Sequence, residues 1–206
     1  MRMTGGFRLE PLQLDILREI GNIGAGHAAT SLSKILGMRI EMSVPNVEIL
    51  SFDKIAQYVG EDKLVVGIYM SVEGDMTGSI FFLMGITSAK FLLSQLFQEE
   101  LNEKEPFTEK DLDALQEIGN ILTGSYLSAL ADFTHLTLYP SIPSIAVDMA
   151  MAILTYGILE IGRSGNDALL IDTSFMNGSE KLEGHFFFIP DPSFFPTLFK
   201  ALGVPM

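Results

Sequence analysis

The sequence predicts an α+β fold built twice, with helices packed on one face of a largely antiparallel β-sheet. The first observation is an internal repeat: LDILREIGNIGAG at 14–26 and LDALQEIGNILTG at 112–124 share nine of thirteen residues at an offset of 98. The second is that both halves show the same order of helical and β-rich patterns. We therefore expect a single domain over 1–206, made of two repeats at about 8–98 and 107–203 and related by a pseudo-two-fold axis.

Each repeat begins with a long helix. Thr108 is followed by Glu109 and Asp111, which is the pattern of an N-cap with an acid at the third helical position. In the first repeat, Pro11 suits a first helical turn and Gly37 suits a helix stop. Behind this helix the first repeat predicts a strand broken by a proline, a short helix, a hairpin and a helix, at 39–50, 52–59, 64–72 with 77–83, and 88–97. The second repeat predicts the same order at 137–147, 150–161, 168–175 with 184–189, and 192–202.

A polar stripe lies on each of the two long helices. At 100° per residue, Asp15, Glu19 and Asn22 fall within about 60° of the helix circumference, apart from the apolar side. The second helix repeats the stripe as Asp113, Glu117 and Asn120. Two carboxylates at i and i+4 repel each other by roughly 0.2–0.5 kcal/mol, so helix stability does not explain the arrangement. One interpretation is a functional surface, and the alternative is an ordinary solvated face that duplication has retained.

The residue types of the stripe suit the positioning of a water molecule. A neutral carboxamide is not a general base, but it can both donate to and accept from one water. Holding that water in line with a phosphorus atom accelerates its attack. A neighbouring glutamate can pair with a cation on a partner protein. The sequence shows no phosphate-binding loop, metal-ligand pattern or activated nucleophile, so the partner must activate the electrophile.

The two stripes, taken with the prolines that follow them, resemble the signature of the CheC, CheX and FliY family of chemotaxis phosphatases. That signature is Asp, three residues, Glu, two residues, Asn, then 22 residues and Pro. Asn22 is followed at this spacing by Pro45, and Asn120 is followed at the same spacing by Pro143. CheX-like members carry one such site and FliY-like members carry added segments for which 206 residues leave no room, so the resemblance is strongest to CheC-type members.

The resemblance implies hydrolysis of the phosphoaspartate on the chemotaxis response regulator CheY. By motif position, it implies that Asn22 and Asn120 orient the attacking water. It also implies that Glu19 and Glu117 engage the active-site lysine of the regulator. The family further implies binding to the receptor deamidase CheD. Mg²⁺ would be held by the regulator, so we expect no cofactor or metal site in this chain itself.

The remaining motif positions have supporting roles in this hypothesis. The resemblance implies that Asp15 and Asp113 contribute to docking of the regulator. We expect Pro45 and Pro143 to be structural, either bending a strand or keeping an edge strand from pairing.

The charge balance excludes other classes of partner. Lys and Arg number 13 against 26 for Asp and Glu, a net charge of −13, which disfavours nucleic acid because phosphate neutralisation requires clustered cations. No apolar run reaches the roughly 18 residues of a membrane helix, and with no cysteine the chain has no disulfides, so we expect a cytoplasmic protein without membrane insertion.

The alternatives to an enzyme are an adaptor that binds phosphorylated regulator or CheD without catalysis, and a structural component of the flagellar switch.

Overall fold

The computed structural model describes residues 9–60, 62–161, 167–177 and 180–204. None of the helices in this part of the chain combines the length and the hydropathy of a membrane span. The helices and strands, in chain order, are α1 (Pro11–Leu36), β1 (Glu41–Ser51), α2 (Phe52–Val59), β2 (Leu64–Gly74), β3 (Gly78–Gly85), α3 (Ile86–Phe97), α4 (Glu109–Thr134), β4 (Leu138–Pro140), β5 (Ser144–Met149), α5 (Ala150–Ile161), β6 (Asp167–Asn177), β7 (Glu180–Pro190) and α6 (Phe194–Ala201).

The starts of both long helices and the end of α1 are those that the sequence predicts. At the start of α4 the Thr108 hydroxyl accepts from the Asp111 amide at 3.2 Å, and the Asp111 carboxylate accepts from the Thr108 amide at 2.8 Å. At the start of α1 the Gln13 side chain accepts from the amide of Glu10 at 2.9 Å. Gly37 ends α1 in the left-handed region at φ 65°, where glycine carries no Cβ penalty.

Strands from both repeats alternate within one antiparallel sheet. The order is β1-β6-β7-β3-β2, and β4 and β5 both pair with β2. By position in the repeats, β2 corresponds to β6, β3 to β7, and β1 to β4 and β5 together. The order is therefore symmetric about the central β3–β7 pair, as a pseudo-two-fold axis requires. Each outer strand pairs across the repeats, because β1 adds to β6 and β5 adds to β2.

Helices cover both faces of this sheet, so the expectation of helices on one face only is wrong. α1, α3, α4 and α6 pack on one face, and α2 and α5 pack on the other. The reason lies in the strands, which are apolar on both sides: Phe81 and Phe82 alternate in β3, are each 1% exposed, and belong to the two different core clusters. A sheet with two apolar faces must be covered twice.

The outer strands of the two repeats differ. β1 runs as one strand, with a register irregularity between Ser43 and Asn46 that surrounds Pro45. The predicted strand at 137–147 is instead divided into β4 and β5, and the three residues 141–143 between them lie outside any strand. The two motif prolines thus occupy corresponding sequence positions in different backbone settings.

The two long helices touch at a glycine. A Cβ on Gly24 of α1 would lie 2.8 Å from Cδ1 of Tyr126 and 3.0 Å from its Cα, so only a glycine allows α4 to come this close. Tyr126 in turn packs against Phe186 of β7 with 4.5 Å between ring centroids and the rings tilted by 35°. Its hydroxyl lies 3.2 Å from the Thr173 hydroxyl of β6, and burial raises the pKa of Tyr126 to about 12. This tyrosine connects both helices to the sheet.

We expect Gly24→Ala to destabilise the fold although alanine is the better helix former. The added methyl group forces the α1 and α4 backbones apart, which outweighs the gain in propensity and leaves a net loss of about 1–2 kcal/mol in the free energy of unfolding. Gly26→Ala is the matched control, because a Cβ there has no neighbour within 4 Å. The free energy of unfolding of that variant should rise by about 0.5–1 kcal/mol. Urea unfolding of the two variants decides the matter, and equal stability would contradict the packing argument.

Candidate functional site

Each polar stripe lies on the solvent side of its helix. Asp15 and Glu19 on α1 are exposed, and Asn22 is half-buried. The second stripe on α4 has the same gradation, with exposed Asp113 and Glu117 and half-buried Asn120. The structure therefore keeps the members of each predicted site together on one helix face. The amides are the least exposed members of each stripe.

Asn22 is held in a fixed orientation by two backbone groups. Its Oδ1 accepts from the amide of Val44 in β1 at 3.0 Å, and its Nδ2 donates to the carbonyl of Arg18 at 3.1 Å. A carboxamide has two donor hydrogens and two acceptor lone pairs, so one of each remains uncommitted. Asn22 can therefore still donate to and accept from a single water molecule.

The spacing between Asn22 and Pro45 has a physical explanation in these contacts. Pro45 has no N–H, and the β1–β6 ladder is interrupted between Ser43 and Asn46. Val44 falls in this interruption, and the Asn22 side chain supplies the acceptor for its amide. The 22 intervening residues complete α1 and bring the chain back along β1 to this point. A local break in the sheet thus fixes the orientation of a side chain on the helix.

In the second site a different helix residue is hydrogen-bonded to the segment that carries the motif proline. Gln116, one turn before Asn120, donates through Nε2 to the carbonyl of Pro143. Asn120 makes no side-chain hydrogen bond to any residue within the described ranges. Ile142, which corresponds to Val44, is 86% exposed, whereas Val44 is 3% exposed. In both repeats the backbone at or next to the motif proline is therefore hydrogen-bonded to the helix, but only in the first is the motif asparagine the partner.

The charges around the two sites also differ. Arg18 on α1 forms an ion pair with Asp15 at 3.4 Å, and both side chains remain substantially exposed, so the pair contributes little to stability. Gln116 occupies the position of Arg18 in the second repeat. Asp113 makes no ion pair with any described residue, and neither does Glu117, so both carboxylates of the stripe on α4 are uncompensated.

Sequence reasoning identified the stripes but missed Arg18 and Gln116. The repeat contains a signal for them, because these two positions differ within a segment that is otherwise largely identical. It also missed the main-chain amide of Val44, which no pattern of residue types reveals. Within the described ranges no three His, Asp or Glu side chains come together in a way that could hold a metal ion.

The fold and the paired stripes define a class of proteins with two similar carboxylate–carboxamide sites on one duplicated α+β unit. The family model described as CheC-like matches residues 12–49 and 111–146, which contain both stripes and both prolines. With the full-length relative described next, this match shows that the chain belongs to the CheC-like family.

The similarity to individual proteins extends over the whole chain. The CheY-P phosphatase CheC of Bacillus subtilis is 42% identical over 211 residues, covering 100% of both chains. The crystal structure of Thermotoga maritima FliY superimposes with a TM-score of 0.75 at 20% identity, covering 96% of this chain and 98% of that one. CheX from Borrelia burgdorferi, solved in complex with CheY, BeF₃ and Mg²⁺, superimposes with a TM-score of 0.52 at 20% identity, covering 82% and 96%. At these identities the two solved structures support the fold.

We expect the two motif asparagines to differ in their contribution to stability. Asn22→Ala leaves the Val44 amide without its acceptor, which should lower the free energy of unfolding by about 1–3 kcal/mol. Asn120→Ala removes a side chain without a hydrogen-bonding partner among the described residues and should change it by less than about 0.5 kcal/mol. Urea denaturation of both variants provides the comparison. Equal losses would mean that the hydrogen bond between Asn22 and the Val44 amide does not contribute to stability.

Proposed function

We propose that this chain is a phosphatase that hydrolyses the phosphoaspartate of a CheY-type response regulator. The observation that carries the proposal is the amide of Asn22, held by two backbone groups with one donor and one acceptor uncommitted, beside the exposed carboxylate of Glu19. The same residue types recur on α4. The name of the Bacillus subtilis relative, CheY-P phosphatase CheC, supports the same reaction.

In the proposed reaction the response regulator itself activates the phosphoryl group that is attacked. The regulator holds Mg²⁺ beside its aspartyl phosphate, and this chain supplies no cofactor. Asn22 or Asn120 positions a water in line with the phosphorus atom, which is a contribution of orientation and not of base catalysis. A bond forms from the water oxygen to phosphorus, the bond to the aspartate oxygen breaks, and the products are inorganic phosphate and a free carboxylate.

The carboxylates of the stripes have a separate role in the proposal. Glu19 or Glu117 pairs with the active-site lysine of the regulator, which aligns the two proteins. Asp15 and Asp113 contribute to docking, and here the sites differ because Arg18 already neutralises part of the charge of Asp15. Opposite charges across the contact favour rapid and correctly oriented association.

CheD is the second partner in this proposal, and it rests on family resemblance alone. We also place the protein in the cytoplasm on the same basis. The competing function is that of an adaptor, which would bind phosphorylated regulator or CheD without accelerating hydrolysis. The adaptor has no need of an oriented amide, so substitution of the asparagines separates the two functions.

We expect substitution of the asparagines and substitution of the glutamates to affect turnover and binding differently. Asn22→Ala and Asn120→Ala should each leave partial activity, and the double variant should lose about 10²-fold or more in kcat because positioning acts in the transition state. The Glu19→Lys and Glu117→Lys double variant should weaken binding as well as turnover, because like charges then face each other. The measurements are phosphate release from phosphorylated CheY and titration with BeF₃-bound CheY. Wild-type turnover in the asparagine double variant would show that the asparagines do not position the water. A wild-type chain that binds BeF₃-bound CheY without accelerating phosphate release would establish the adaptor.

The specificity of the reaction provides a second test. Because the site offers an amide and a carboxylate but no nucleophile, we expect acceleration only on a Mg²⁺-loaded response regulator. A small phosphomonoester such as p-nitrophenyl phosphate should not be hydrolysed above background by the purified protein. Measurable turnover of that substrate, abolished by substitutions in either stripe, would contradict a partner-activated mechanism.

A further inference from the structure

The second site carries a projecting apolar side chain that the first site lacks. Ile142 is 86% exposed, and the corresponding Val44 is 3% exposed. Val44 packs under α1, where a Cβ on Gly21 would lie 3.5 Å from its Cγ2. At the corresponding Gly119 an added Cβ would lie 2.6 Å from Cδ1 of Ile68 in β2, whereas Ile171, the counterpart of Ile68 in β6, lies 3.6 Å from the Cβ added at Gly21. The β2 side chain therefore comes closer to α4 than its β6 counterpart comes to α1, and Ile142 lies outside the core.

The backbone that carries Ile142 is tied down on its amino-terminal side. The Ser141 amide donates to the Ser71 carbonyl at 2.9 Å, and the Ser71 amide donates to the Ser141 hydroxyl at 3.0 Å. The Ser141 hydroxyl also donates to the carbonyl of Ile142 at 3.2 Å. These bonds fix the segment to β2, and Ile142 projects from a backbone held in place.

The carboxyl-terminal side is tied to the helix of the second site. Pro143 fixes its own φ and restricts the residue before it to an extended conformation. The Pro143 carbonyl accepts from Nε2 of Gln116, which lies on α4 one turn before Asn120. The position of Ile142 relative to the second stripe is therefore set by Gln116.

We propose that Ile142 contacts the phosphorylated regulator at the second site and that Gln116 is its positioning residue. The partner surface is an apolar patch beside the aspartyl phosphate and its lysine. The charges of the second site also favour binding of the regulator's lysine. Gln116 replaces Arg18 and leaves Asp113 without an ion-pair partner in the described part of the chain. The second site then binds the regulator more tightly than the first. This inference rests on the proposed function.

The test uses the full chain carrying Asn22→Ala, in which only the second site turns over. In this background Ile142→Ala should raise KM for phosphorylated CheY about tenfold with kcat nearly unchanged, because the lost contact is made equally in the ground and transition states. Ile142→Leu should keep the parental KM. Phe133→Ala is the matched control: this residue is 45% exposed and lies about 20 Å along α4 from Asn120, so KM should not change.

The role of Gln116 is tested by a double-mutant cycle. Gln116→Met removes the donor at nearly constant length and should raise KM about threefold. In combination with Ile142→Ala it should add little further, because Gln116 acts through the position of Ile142. A fully additive effect would show that Gln116 does not act through Ile142 and would overturn its assignment as the positioning residue.

The outcomes separate this inference from the proposed function. If the Asn22→Ala parent hydrolyses phosphorylated CheY and Ile142→Ala leaves KM unchanged, the inference is overturned while the function stands. If neither the wild-type chain nor the parent accelerates hydrolysis, the proposed function fails, and the affinity of the Ile142 variants for BeF₃-bound CheY still decides the contact. Substantial loss of thermal stability in Ile142→Ala would show that the side chain serves the fold, which also overturns the inference.

Discussion

The contact between α1 and α4 at Gly24 and Tyr126 is the constraint on which the arrangement of the two sites depends. Both helices carry a polar stripe, and their apolar sides must reach the same face of one sheet. The glycine allows the close approach, and the buried tyrosine packs against Phe186 and reaches Thr173 in the sheet below. Because an uncharged ring and a hydroxyl with a partner fill this position, no charge is buried at the centre. The stripes are left on the solvent side of a rigid layer.

The exchange of outer strands between the repeats extends this constraint to the motif prolines. β1 of the first repeat pairs with β6 of the second, and β5 of the second repeat pairs with β2 of the first. Each motif proline therefore lies on or beside a strand whose partner belongs to the other repeat. The setting of one site depends on the folding of both halves, which gives a physical reason for a duplicated unit to act as one body.

Duplication has produced two sites with the same motif and different surroundings. In the first, Asn22 is oriented by the Val44 amide, and Arg18 compensates Asp15. In the second, Gln116 reaches the Pro143 carbonyl and the side chain before the proline is exposed. A preorganised amide favours the chemical step, whereas a more acidic and more apolar surface favours association. Under the proposed function, the two repeats therefore combine a site suited to the chemical step with a site suited to association.

Much of this protein is determined by its sequence alone, because local rules govern those features. The start of α4 at Thr108, the stop of α1 at Gly37, the order of strands and helices and the membership of both stripes follow from capping, periodicity and the repeat. Other features depend on distant segments and were decided only by the tertiary structure. They are the Asn22–Val44 hydrogen bond, the division of the second outer strand around Ile142, and the presence of helices on both faces of the sheet. Residue spacing shows which side chains share a helix face, but it does not show which side chains fill the space beneath that helix. That choice depends on packing across the whole sheet, and it buries Val44 while leaving its counterpart in solvent.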